Sequence, residues 1–208
     1  MKLMIASDIH GSLKYCRELV ERYKDEKCEK LILLGDVLYH GPRNDLPDEY
    51  NPKGVIALLN GMSQEILCVR GNCEAEVDDM VLEFNVLADY ALLFNNGRTF
   101  FLTHGHKFNP QNPPKLKKGD VLFNGHTHVS KIEETNTFLY VNPGSVSIPK
   151  ENTPRGYIIL EDEKITHKDT TIELILSTEE VTLVVVLRAG RRGRNRLHGH
   201  RKLKHAGR

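Results

Sequence analysis

At 208 residues, with 39% hydrophobic and 27% charged side chains, the chain has the composition of a soluble globular protein, long enough for one ordinary domain and a segment to spare. No apolar run approaches the ~18 residues of a membrane span, and the N-terminus reads as a strand where a signal peptide would carry a basic start, so no membrane contact and a cytoplasmic location are expected. The net charge of +1 hides a division: residues 188–208 carry seven Arg and two Lys with no acid, which leaves −8 on the 187 residues before them.

Residues 2–7 are the first predicted strand, and it gives out into Asp8-Ile9-His10-Gly11. Side chains two apart in an extended backbone point the same way, so Asp8 and His10 are expected to project together. Leu13 to Lys24 predicts a helix with Leu13, Cys16, Leu19, Val20 and Tyr23 on its buried stripe. The aliphatic run from Lys30 to Leu34 suits a strand buried on both faces, and it ends in Gly35-Asp36. This βαβ order favours a parallel pair with a right-handed crossover. A proline-punctuated loop from Tyr39 to Pro52, holding His40 and Arg43, leads to a helix over Lys53 to Asn60 and a strand over Glu65 to Arg70 that ends in Gly71-Asn72-Cys73.

From Met80 onward the pattern turns to hairpins. Tyr90 to Phe94 and Thr99 to Thr103 flank Asn95-Asn96-Gly97, a turn that tolerates positive φ, and the second strand ends in His104-Gly105-His106. Asn109 to Lys118 reads as a loop with one helical turn, and Val121 to Gly125 as a strand ending in His126 and His128. Lys131 to Glu134 pairs with Phe138 to Val141, Tyr157 to Leu160 pairs with Ile165 to His167, and Thr171 to Leu176 and Val181 to Leu187 also read as strands. The expected fold is α/β, a four-layer α/β/β/α sandwich of two mixed sheets flanked by helices. One domain is expected over 1–176, followed by an atypical segment over 177–208 that is basic and, from 188, disordered.

Five strand ends thus supply Asp8, His10, Asp36, Asn72, His104, His126 and His128. Seven oxygen and nitrogen donors are too many for one tetrahedral ion and suit two divalent ions sharing a carboxylate; the absence of thiolate fits manganese, iron or zinc. Two dications roughly 3.5–4 Å apart repel by about 20 kcal/mol at an effective dielectric of 20, so an anion between them is required. Asp36, with an oxygen for each ion, is read as that bridge, with a hydroxide as the second. Such a centre suits in-line attack on a phosphate ester. The four cysteines, Cys16, Cys28, Cys68 and Cys73, have neither disulfide-framework density nor zinc-knuckle spacing.

The ordered set Asp8-x-His10, Gly35-Asp36, Gly71-Asn72, Thr103-His104-Gly105-His106 and Gly125-His126-Thr127-His128 resembles that of the calcineurin-like metallophosphoesterases. Gly35 to Arg43, Arg70 to Glu74 and Asn142 to Pro149 resemble the YfcE-type bacterial phosphodiesterase branch. The resemblance implies that Asp8, His10 and His128 hold one ion and Asn72, His104 and His126 the other, with Asp36 common to both. It also implies a manganese-supported phosphodiesterase acting on small diesters. Asp36, Asn72 and His104 are taken as the catalytic members.

Two features depart from the family pattern. Many phosphomonoesterase relatives have a histidine after the asparagine; here Cys73 either packs beside the metals or offers a weak proton donor. The segment from Thr178 onward matches nothing in the family, and either has no role or is a basic arm with nucleic-acid affinity. His40, Arg43, Cys73 and His106 are read as substrate-side residues, and Arg43 could fork two phosphate oxygens. A non-catalytic binding scaffold on the same fold, and a nuclease or RNA-associated protein using the basic tail, are the alternative readings. A homo-oligomer is compatible with the sequence.

Overall fold

The computed structural model describes the backbone of residues 1–169, 172–177 and 180–187 and the side chains of residues 1–168. The basic segment expected to be disordered, 188–208, lies outside the described residues.

Two mixed sheets face each other. In the larger, β1 (Lys2–Ala6), β2 (Lys30–Leu33) and β3 (Ile66–Cys68) run parallel. β9 (Gly156–Glu161) pairs antiparallel with β1, and β10 (Lys164–Asp169), β11 (Ile172–Ser177) and β12 (Glu180–Leu187) extend that flank as an antiparallel meander. The smaller sheet has the order β4-β5-β6-β8-β7, formed by β4 (Tyr90–Asn95), β5 (Arg98–Thr103), β6 (Val121–Phe123), β7 (Lys131–Glu134) and β8 (Leu139–Asn142). Its centre, β5-β6-β8, is parallel and its margins β4 and β7 are antiparallel.

Strand alternation explains the layers. Leu3, Ile5, Ile32 and Leu34 join Phe100, Leu102, Val121, Phe123 and Val141 in the core between the sheets. Met4, Ala6, Leu31, Leu33 and Ile159 turn the other way, under α1 (Leu13–Asp25) and α2 (Pro52–Asn60). Each fully buried Leu, Ile or Phe stabilises by roughly 1.5–3 kcal/mol. Ser12 caps α1 by accepting from the Tyr15 N–H at 3.4 Å, and Asn51 caps α2 by accepting from Gly54 N–H at 3.0 Å, with Pro52 at the first helical position.

One local expectation fails, and one element was not foreseen. The helical turn expected within 109–118 is absent: Asn109 Oδ1 accepts from the N–H groups of Gln111 and Asn112 at 3.0 and 2.9 Å, and three prolines remove donors. Leu116 of this segment and Phe108 just ahead of it pack instead over Phe101, Leu122, Phe138 and Tyr140 on the outer face of the smaller sheet. The short helix α3 (Glu76–Val81) escapes sequence reading because it buries no side chain and so leaves no apolar period. Among the described residues, no helix is long and apolar enough to cross a membrane.

Candidate metal centre

Every parallel strand of both sheets delivers its C-terminal end to one edge of the sandwich, where Asp8, Asp36, Asn72, His104, His126 and His128 follow β1, β2, β3, β5 and β6. Asp8 and His10 do not meet by strand alternation, as the sequence led us to expect. β1 stops at Ala6, and both residues turn in the left-handed region, with φ of 59° and 49°. Asp36, His126 and His128 do the same, at 55°, 66° and 61°. For L-residues this conformation costs roughly 1–2 kcal/mol each, so the surroundings must enforce it. Asp8 N–H donates to Gly35 O at 3.1 Å and His10 N–H to Asp36 O at 2.9 Å, tying the first loop to the second. The Ser145 and Ser147 hydroxyls donate to Asp8 O at 2.7 and 3.1 Å, so the segment after β8 braces the same loop.

The two carboxylates are handled alike. Asp8 Oδ2 accepts the His126 backbone N–H at 3.0 Å, and its Oδ1 faces His128 Nε2 and His10 Nε2 at 3.2 and 3.4 Å without forming a hydrogen bond. Asp36 Oδ1 accepts the Cys73 N–H at 2.9 Å, and its Oδ2 lies 3.4 Å from His104 Nε2 and 3.7 Å from His10 Nε2. The Cys73 amide thus orients Asp36 through Oδ1, and Oδ2 faces the two imidazole groups; each oxygen keeps a lone pair for an ion.

The imidazoles are fixed from behind. Nδ1 of His10, His104 and His128 sits 2.7, 2.8 and 2.8 Å from the carbonyl oxygens of Tyr39, Leu34 and Ile148, so each Nδ1 carries the proton and each Nε2 presents a lone pair inward. His10 Nε2 and His128 Nε2 then face each other at 3.0 Å, and His104 Nε2 lies 3.2 Å from His126 Nδ1 and 3.1 Å from Asn72 Oδ1. Opposed lone pairs with an orphaned buried carboxylate oxygen are stable only around positive charge. The trios Asp8, His10, His128 and Asp8, Asp36, His104 each bring three ligand atoms within 4.8 Å of one another, and His10, Asp36 and Cys73 form a third. The residues fit a binuclear centre for divalent ions.

Electrostatics agree with that reading. Burial would raise Asp8 and Asp36, but the imidazoles of His104 and its neighbours hold both below the usual carboxylate range. Against the cost of burial, Asp8 and Asp36 push His104 up to about 9, a preference for positive charge at Nε2 that a bound cation would satisfy in place of a proton. Burial, then the charges of His104 and His126, pushes His106 down to about 4.

A small cleft of about 50 Å³ over the cluster is lined by Arg43, Cys73, His126, His128 and two residues that the sequence did not single out, Asn44 and Lys150. His106 stands 5.4 Å, ring to ring, from His104. His40 is held edge-on between Tyr39 and Tyr50, with its buried Nδ1 lacking a protein partner. Burial and Asp36 push the Cys73 thiol up, so it stays protonated.

Sequence reasoning missed Glu74 as a site residue. Its buried carboxylate accepts the N–H groups of Asp36 at 2.9 Å, Val37 at 2.7 Å and Gly71 at 2.5 Å, locking the loops after β2 and β3 together. Arg70, two residues ahead of Asn72, donates to Glu74 O at 3.2 Å. The available signal was an acid two places after Asn72 in a segment required to be buried: such a carboxylate needs several donors. The approach is so close that a Cβ on Gly71 would overlap Asp36 Oδ1.

Comparison with known proteins gives a consistent picture. The family model of the calcineurin-like phosphoesterase superfamily domain matches residues 1–164. The phosphodiesterase YfcE of Escherichia coli K12 is 45% identical over 163 residues, covering 78% of this chain and 89% of that protein. A solved structure of YfcE, described as a phosphoesterase from E. coli, superposes with a TM-score of 0.76 at 40% identity, covering 90% of this chain and 99% of the other. The phosphodiesterase MJ0936 of Methanocaldococcus jannaschii is 27% identical over 188 residues, covering 83% of this chain and all of that protein.

Proposed function

The chain belongs to the calcineurin-like phosphoesterase superfamily, and from that premise we propose that it is a di-metal phosphodiesterase that hydrolyses small phosphodiesters. One observation carries the reading: two carboxylates and three imidazoles, each fixed from behind by a backbone partner, turn their free donor atoms onto one buried point, where the His126 ring meets His104. Asp8, His10 and His128 would hold one ion and Asn72, His104 and His126 the other, with Asp36 common to both. When bound, two divalent ions supply Lewis acidity and a water acidic enough to be a nucleophile at neutral pH.

The chain's own residues do the rest. Backbone donors and Glu74 hold Asp36 and Asn72 in fixed positions, so no reorganisation is needed as charge develops on the phosphate. Arg43 and Lys150 put two cations over the cleft, where a phosphodiester anion would sit. Manganese is the proposed metal, supported by the oxygen-and-imidazole donor set and the family resemblance. The cytoplasm is the proposed location, supported by four free cysteines.

Cys73 sets the substrate preference. Its thiol is a protonated but weak donor to a leaving oxygen, so diesters with good leaving groups should be favoured. Two experiments test the proposal. Metal-stripped protein reloaded separately with manganese, zinc, iron and magnesium should hydrolyse diesters ahead of monoesters, best with manganese; no activity with any metal rejects it. Cys73→His should flatten the dependence of rate on leaving-group pKa across aryl diesters, and an unchanged slope removes the role given to Cys73.

A further inference from the structure

Two depressions meet at His126. The metal cleft, about 50 Å³, is rimmed by the cations Arg43 and Lys150. A wider groove of about 400 Å³ is lined by Asn124, Thr127, Tyr140, Lys131, Glu133 and Glu151 among others. His126 is the one residue that lines both. Its backbone N–H is held by Asp8 Oδ2 and its Nδ1 faces His104, so its ring is a fixed wall between them.

The floor of the groove is built in advance. Tyr140 OH donates to Asn124 Oδ1 at 2.9 Å, and Asn142 Nδ2 donates to Gly125 O at 2.9 Å and to Thr127 Oγ1 at 3.1 Å. Asn124 thus turns its oxygen into the network. Buried polar groups held by one another keep their positions when a ligand arrives. The charge also differs from that of the cleft. Lys131 is paired with Glu133 at 2.6 Å, so those two charges offset and Glu151 leaves the lining with one negative charge in excess. A second phosphate there would be repelled; an uncharged group with hydroxyls would not.

We propose that this groove binds the arm of the diester that does not leave, and that the arm is an uncharged, hydroxyl-bearing group of nucleoside size, not a continuing polynucleotide. The volume lies in the range of small-ligand sites. The inference rests on the phosphodiesterase reading of the adjoining centre, because it is the phosphate held there that would direct an arm past His126.

The test compares thymidine 5′-(p-nitrophenyl phosphate) with methyl p-nitrophenyl phosphate, two diesters with the same leaving group, on the manganese-loaded full chain. Val129→Trp and Gln111→Trp fill the groove from two sides, and Gln111 is exposed, so it survives if Val129→Trp fails to fold. KM for the thymidine ester should rise about tenfold or more with kcat within twofold, and the methyl ester should change less than twofold. Equal effects on both esters, or on neither, overturn the proposal, as does a KM for a p-nitrophenyl-capped oligothymidylate as low as that for the single nucleoside. A binding readout stands apart from catalysis: in ¹⁵N-labelled zinc-loaded protein, thymidine 5′-monophosphate should shift the amides of Gln111, Thr127, Val129 and Glu133, whereas inorganic phosphate should not. If the parent protein hydrolyses neither ester, the phosphodiesterase reading fails while this titration still decides the groove; silent amides reject it.

Discussion

The parallel centres of the two sheets and their antiparallel margins differ in what their strand ends do. β1, β2, β3, β5 and β6 each end in a loop carrying a ligand, and β8 in the serines that hold Asp8, whereas β4, β7, β9 and β10 end in hairpin turns or connections with no such residue. A parallel strand must be left by a crossover, so its C-terminal end is free to open into a cleft; an antiparallel neighbour is reached by a tight turn. Strain is distributed accordingly. Five of the seven ligand-type residues occupy the left-handed region, where bonds between loops enforce conformations that the residues themselves disfavour. In the β4–β5 hairpin, Asn96 and Gly97 share that region but meet little that depends on them.

The comparison can be broken most forcefully at its centre. Asp36→Asn should lower kcat/KM by about a thousandfold or more and abolish binding of a second metal equivalent, measured by kinetics and metal titration, with the fold retained by circular dichroism. Glu74→Gln keeps the shape but turns an amide NH2 donor toward backbone N–H donors; metal affinity should fall roughly 10–100-fold at unchanged secondary structure, read by competition with a chelator. A glycine pair sharpens the contrast. Gly71→Ala drives a Cβ into Asp36 Oδ1, so stability should drop by about 1–3 kcal/mol and activity should collapse with it. Gly97→Ala, at φ 75° with open space around it, should cost about 1 kcal/mol and leave kcat/KM untouched. Equal activity losses in the two variants would contradict the division between centre and margin.

The smallest effect belongs to the antiparallel flank. Glu26 is half-buried and accepts from Lys168 at 2.7 Å and Lys2 at 3.1 Å; burial works against its ionisation, but the two ammonium groups hold it below the usual range. A carboxylate with a depressed folded pKa stabilises the native state above its unfolded value, near 4.5, and loses that contribution as pH falls through the folded value. Glu26→Gln should therefore cost at most about 1 kcal/mol at pH 7, converge with the parent in urea titrations as pH falls through the folded value, and leave activity unchanged.

Much of the architecture was legible because burial on both faces writes continuous aliphatic runs, as at Lys30–Leu33, and half-buried helices write a 3-4 stripe, as at Cys16, Leu19, Val20 and Tyr23. α3 was not, since a helix that buries nothing has no period to read. All seven ligand-type residues were visible as polar residues beside glycine at strand ends, yet the reason that Asp8 and His10 meet was misread as strand alternation when it is a pair of left-handed turns. Glu74 was passed over because its task, joining Asp36, Val37 and Gly71, involves residues 3 to 38 positions away in sequence.

By itself the order of residues determined which strands exist, which face of each is apolar and which residue types gather at their ends, because periodicity and ligand chemistry are local properties. Only the tertiary structure decided which nitrogen of each imidazole looks inward, which carboxylate oxygen is left free, and that a second groove shares a wall with the metal cleft. Those choices are made by backbone carbonyls and amides brought from distant loops, and a partner that arrives through folding leaves no mark beside the residue that it orients.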